Sequence, residues 1–394
     1  MSPRRPAAAL LVLLVAGLLP RAAAGAERIA IRDVRHWSYA GYTRVVVELS
    51  APVTTTVKNL PASQGLPDRL YLDLAGVTAG PEWAEPIPVA DGLLRRVRIG
   101  QNRPGRVRVV VDLERFERHR LFTLTAPDRV VLDVFAEDRE DGRDAGTDAP
   151  AHPPTRPRPR PGVRTVVIDP GHGGRDPGAS GRGLREKDVT LSVALDLRDR
   201  LRARGFDVRM TRETDRTVSL EERTAMAEGV GADVFVSIHA NAAPGPAAHG
   251  IETYFLDETD ERHSLRVAAR ESGVSPAELD DLDRALAGLR MSVVSERSAE
   301  LARDVHTGVV RGVGDVYGSV RDLGVKKGPF HVLFLSNAPS ILVEVGFLTH
   351  RGEARRLDSR LYRAVLAEQM ARGLSRYRTR QMERARSLAV RLQR

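Results

Sequence analysis

Between Ala136 and Gly162 the chain reads AEDREDGRDAGTDAPAHPPTRPRPRPG. This stretch is dense in charge and proline and nearly free of large apolar groups. It cannot bury enough surface to offset the entropy of ordering, so it reads as a linker, assigned to residues 137–164, with an extended and stiff PRPRP core. The 394-residue chain is therefore divided into two folding units with different grammars on either side.

The first 26 residues form a leader. Arg4 and Arg5 precede an apolar run from Ala7 to Leu19, and Ala24-Gly25-Ala26 offers a small-x-small cleavage site. The run is too short to span a bilayer comfortably, so it reads as an export signal rather than an anchor. Its removal takes Arg4, Arg5 and Arg21 from a formal charge of +9 and leaves +6. No later stretch of eighteen apolar residues follows, so no transmembrane anchor is expected in the mature chain. Cysteine is absent, which excludes a disulfide framework, a thiolate metal site and a cysteine nucleophile.

Residues 27–136 alternate in short runs such as RIAIRDV, TRVVVELS, RLYLDLAG and RVRVVVDL, separated by turn residues. This pattern predicts an antiparallel β-sandwich or half-open barrel. From Thr165 the pattern changes to strand–helix–strand. VVI is a strand, Asp188–Arg204 has helical period, FDVRMTR and VFVSIH are strands, and Ser219-Leu220-Glu221-Glu222 fits a capping box for a helix ending near Gly229. GIETYFL, SILVEVGFL and a closing helix over 361–377 complete an α/β domain: a twisted, mostly parallel sheet with helices on both faces. The basic tail, 378–394, is expected to be a solvated extension.

In such a sheet, ligands gather beyond the carboxyl ends of the strands. VVID runs into Pro170-Gly171-His172-Gly173-Gly174, VFVSI into His239-Ala240-Asn241, and SILV into Glu344, while Glu186 follows at the same rim. Two imidazoles and one carboxylate are a normal set for catalytic zinc, one ion per chain, with a position left for water; they do not exclude iron or manganese. Glu344, a carboxylate inside an apolar strand, is costly unless paired or used, and is the candidate proton carrier. Taken singly, Glu186 reads as an acid favoured near a helix start, DPGHGG as a turn, and Asp169 as a turn former.

DPGHGGRDPGASG, LREKDVTL, ERTAMAEGVGADVFVSIHANA and SNAPSILVEVGFLTH together resemble the zinc-dependent N-acetylmuramoyl-L-alanine amidases of the Amidase_3 family, over residues 165–377. The resemblance places the zinc ligands on His172, Glu186 and His239 and the catalytic glutamate on Glu344. It implies hydrolysis of the amide joining N-acetylmuramic acid to L-alanine of the peptidoglycan stem. The β-rich unit resembles the AMIN domain, which implies peptidoglycan binding, a periplasmic, septal location and a role in daughter-cell separation. Such enzymes often carry an insertion whose helix plugs the cleft until a LytM-type activator displaces it. Residues 257–300 occupy that place, and Glu278, Asp280 and Asp281 are the expected inhibitory carboxylates, on a helix beginning at Ser275. No nucleic-acid partner is expected. Two rivals stand beside this reading: a zinc peptidase acting on stem peptides, and a non-catalytic peptidoglycan-binding protein.

Overall fold

The computed structural model describes residues 29–39, 41–63, 65–124, 127–136, 162–257, 259–273, 292–318, 320–334 and 338–392. The leader, most of the linker, and Glu278, Asp280 and Asp281 lie outside the described residues.

Ten strands make the first unit: β1 (Ile29–Tyr39), β2 (Tyr42–Leu49), β3 (Val57–Leu60), β4 (Arg69–Ala75), β5 (Val77–Thr78), β6 (Ile87–Pro88), β7 (Leu94–Arg103), β8 (Arg106–Leu113), β9 (Arg118–Leu124) and β10 (Arg129–Phe135). They form two five-stranded sheets, ordered β5-β1-β2-β10-β9 and β3-β4-β8-β7-β6. Alternate residues from both sheets, among them Val45, Val47, Leu72, Val109, Val130 and Leu132, pack into one apolar core.

The second unit holds a six-stranded sheet of β11 (Thr165–Pro170), β14 (Asp207–Met210), β15 (Val234–Asn241), β16 (Ile251–Phe255), β17 (Asp322–Lys327) and β18 (Ser340–Phe347), in the order β14-β11-β15-β18-β16-β17. A small ribbon of β12 (Ser180–Gly181) and β13 (Leu184–Arg185) precedes the first helix. Only the β16–β18 pair of the larger sheet is antiparallel. The helices are α1 (Glu186–Ala203), α2 (Leu220–Gly229), α3 (Arg262–Ser272), α4 (Ser292–Tyr317), α5 (His331–Phe334), α6 (Arg351–Asp358) and α7 (Arg360–Leu392). The expected capping box is present, with Ser219 Oγ accepting from the Glu222 amide at 3.2 Å. Helices α1, α4 and α7 cover one face of the sheet, where Val166, Val236 and Val343 point; α2, α3 and α5 cover the other, where Val167, Phe235 and Leu342 point.

This period-2 alternation also places the chemistry. Asp169, Ser237, His239 and Glu344 continue the rows of Val167, Phe235 and Leu342, so the sheet face under α2 and α3 is apolar at its amino end and polar at its carboxyl end.

One expectation is refined and one corrected. The basic tail is largely exposed, as expected, but helical to Leu392: α7 continues into it, and Arg380 and Arg384, about half exposed, pair with Asp304 and Glu300 of α4 at 2.7 and 2.6 Å. Asp169 is no simple turn former: it is buried and accepts from Thr211, Arg223 and Ser237.

The two units meet on α2. Strand β10 is buried at every position, because its outer face is covered as well as its inner one. Arg44, wholly buried, donates to both oxygens of Asp133 (2.6 and 2.9 Å) and to Thr224 Oγ1 of α2 (2.7 Å). Arg129 pairs with Glu221, and Tyr42 and Phe135 pack with Ala225.

Candidate metal centre

His172 leaves β11 in a left-handed conformation, φ +59°. Its Nδ1 lies 2.7 Å from Asp176 Oδ2, an arrangement that orients the ring and leaves Nε2 facing inward. Glu186 opens α1 and is completely buried. The amides of Ala179 and Ala240 donate to its two oxygens at 2.8 and 2.9 Å. His239 stands on β15 with Nδ1 3.0 Å from Glu186 Oε1. The turn around His172 is tight: a Cβ on Gly171 would sit 2.5 Å from His239 Cε1, and one on Gly178 would sit 2.5 Å from His172 Cδ2. Only glycine leaves room for both imidazoles.

A fourth group joins them. Glu271, in the last turn of α3, brings Oε2 to 3.0 Å from His172 Nε2 and 2.8 Å from His239 Nδ1. One ligand atom from each of His172, Glu186, His239 and Glu271 lies within 4.8 Å of the other three. His172, Glu186 and His239, named from sequence, thus converge, and Glu271 is the member that sequence reasoning missed. Its signal was an anomaly: a carboxylate in a C-terminal helical turn, where the helix dipole disfavours it.

The electrostatics describe a site built for a cation. Burial alone would drive protons off the imidazoles, but Asp176 and Glu186 push His172 up to about 12, and Glu271 and Glu186 push His239 up to about 9. Burial would raise Glu271, yet the two histidines and Arg270 hold it well below the usual carboxylate range. The donor set of two imidazoles and two carboxylates fits zinc, which competes for the same lone pairs that these protons occupy.

Glu344 lies beside His239 in the parallel register of β15 and β18. It is fully buried, and its Oε2 has no hydrogen-bond partner. Burial first, then the charges of Glu271 and Glu186, push its pKa well above the ordinary value. Arg270 of α3 donates to Asn241 Oδ1 at 2.9 Å and reaches Glu344 Oε1 at 3.4 Å. Helix α3 therefore touches the histidines through one residue and the candidate proton carrier through its neighbour. Beside it a cavity of about 590 Å³ runs from His172 and His239 to an apolar wall of Val218, Leu220, Phe330 and Val332.

The family model described as N-acetylmuramoyl-L-alanine amidase, Amidase_3, matches residues 166–376. The chain belongs to this amidase family. The AMIN domain model matches residues 33–134. AmiC of Neisseria meningitidis serogroup B, named an N-acetylmuramoyl-L-alanine amidase, is 31% identical to this amidase over 377 residues, covering 87% of this chain and 88% of that protein. AmiA of Escherichia coli K12 is 32% identical over 222 residues, 55% of this chain and 76% of that one. Among solved structures, the amidase AmiC2 of Nostoc punctiforme is 34% identical and covers 54% of this amidase and 96% of its own chain, with a TM-score of 0.42. No helix among the described residues of the amidase is long and apolar enough to cross a membrane.

Proposed function

We propose that this chain is an exported, zinc-dependent amidase that cleaves the bond between N-acetylmuramic acid and L-alanine of peptidoglycan, with His172, Glu186 and His239 as zinc ligands and Glu344 as proton carrier. The convergence of His172 Nε2, His239 Nδ1 and the Glu186 carboxylate beside a buried, unpartnered Glu344 oxygen carries this reading. When bound, zinc would supply Lewis acidity and lower the pKa of a water molecule. Glu344 would accept that water's proton and hand it to the departing alanine nitrogen. Asp176 keeps the His172 ring turned, and the two amides on Glu186 keep its carboxylate facing the histidines. Mass spectrometry of digested sacculi tests the reading. Intact stem peptides with a free N-terminal alanine are expected; cleavage within the stem would replace it with the peptidase alternative, and no release at all with a wall-binding protein.

Helix α3 restrains this site. Glu271 occupies the space between the two histidines, and Arg270 engages Glu344, so substrate and Glu344 cannot meet while the helix is seated. On this reading Glu271 is an inhibitory carboxylate; Glu278, Asp280 and Asp281, also expected in that part, lie outside the described residues. A LytM-type activator that lifts α3 would release it, and the AMIN domain would carry the enzyme to septal peptidoglycan.

A further inference from the structure

The left-handed backbone of His172 needs a cause. A non-glycine residue at φ +59° is strained and persists only where its surroundings over-determine it. Those surroundings are two buried guanidiniums. Arg223 of α2 donates through Nη1 to Asp169 Oδ1 (2.6 Å) and the Pro170 carbonyl (2.7 Å), and through Nη2 to the His172 carbonyl (2.7 Å). Arg212 approaches from the other side and donates to the carbonyls of Pro170 (3.0 Å) and Gly171 (2.8 Å). Three consecutive carbonyls at the end of β11 are thereby fixed by cationic donors, which make shorter and stronger hydrogen bonds than neutral ones.

We propose that Arg223 is a positioning residue of the amidase: by holding the His172 carbonyl and the Asp169 carboxylate it imposes the left-handed turn that aims His172 Nε2 at Glu186 and His239. The planar fork matters as much as the charge. An ammonium at this place is a point donor on a flexible stem and cannot hold three acceptors at fixed angles. Arg212 leaves the His172 carbonyl untouched, so it braces the turn without setting the ligand. Asp169, buried between them, balances the cluster: burial opposes its ionisation, but the Arg223 charge and the Thr211 and Arg223 hydrogen bonds outweigh it.

The inference rests on His172 being a zinc ligand, and its test reads metal binding rather than turnover. Zinc affinity of the full chain is measured by competition with a chromophoric chelator, for the wild type, Arg223→Ala and Arg223→Lys. Arg223→Ala should bind zinc about 10–100-fold more weakly, the usual effect of removing a group that orients a ligand. Guanidinium ion at millimolar, non-denaturing concentration should restore part of that affinity and leave the wild type unchanged. An unchanged affinity, or a loss that guanidinium does not restore, overturns the proposal. Should Arg223→Ala fail to fold, Arg223→Lys decides: weaker affinity with an altered visible spectrum of the cobalt-substituted protein supports it, and wild-type values of either overturn it. A wild-type chain that bound no zinc would sink the site reading together with the inference, whereas a variant indistinguishable from wild type sinks the inference alone.

Discussion

Helices α2 and α3 reach the same site from neighbouring positions, and each presents an arginine to it. Arg223 of α2 is 4% exposed and bonded to backbone carbonyls and a buried aspartate. Arg270 of α3 is 33% exposed and ends on Asn241, the Ala242 carbonyl and, at 3.4 Å, Glu344. Helix α2 is also pinned on its far side, where Arg44 and Arg129 of the sandwich meet Thr224 and Glu221. Helix α3 holds the site by side chains that a substrate or a metal would also engage. The difference separates scaffold from cover: losses are expected where α2 or the catalytic groups are cut, gains where α3 is.

The largest effect should come from the group both helices leave at the centre. Glu344→Gln is expected to keep wild-type zinc content and lose about 10²–10⁴-fold in the rate of sacculus hydrolysis. An emptied metal site in that variant would move Glu344 from proton carrier to ligand. On the far side of α2, Arg44→Met leaves Asp133 buried with only Arg120 as a charged partner, beside the Tyr42 hydroxyl, and should cost about 3–5 kcal/mol in urea unfolding followed by tryptophan fluorescence. The same pair has a pH signature. Burial would raise Asp133, but Arg44 and Arg120 hold it below the usual carboxylate range, so its stabilisation is complete above the unfolded pKa of about 3.9 and is lost as pH falls through the folded value. Asp133→Asn should flatten the fall in melting temperature below about pH 4; an unchanged slope would mean the pair is open in solution.

Cutting the cover should do the opposite of cutting the scaffold. Glu271→Ala, with three zinc donors left in place, is expected to raise basal hydrolysis on the order of tenfold, within the usual range of coupling energies. Basal activity equal to wild type, at equal zinc content, would make α3 ordinary surface and erase the contrast. The smallest effect belongs to the end of α7. Arg384→Ala breaks a half-exposed ion pair with Glu300 and should change the melting point by no more than about 1 kcal/mol implies.

The sequence made the strand-borne groups readable because a strand ending in glycine, histidine or a lone carboxylate breaks an otherwise apolar pattern: DPGHGG, SIHAN and ILVEV stand out without any knowledge of packing. What it hid were side chains whose role depends on which helix lies over which strand. Glu271 and Arg270 sit in HSLRVAARES, an amphipathic helix in which charged residues read as solvated until the strand beneath it is known. Arg223 was concealed in the same way within ERTAMAEG. The docking of the sandwich had one trace, RVVLDVF, which lacks the alternation of a half-exposed strand and so asks for cover on both faces.

Gly171 and Gly178 set a bound on how this site can vary. Every missense change at either codon adds at least a Cβ, and at each position that atom would fall within 2.5 Å of an imidazole carbon of His239 or His172. The clustered histidines and carboxylates have chemically related substitutes, but these two positions offer no neutral neighbour to drift through. In a saturation library screened for lysis of sacculi, they are the places where the tolerated alphabet shrinks to one letter, even though neither residue donates an electron pair or a proton.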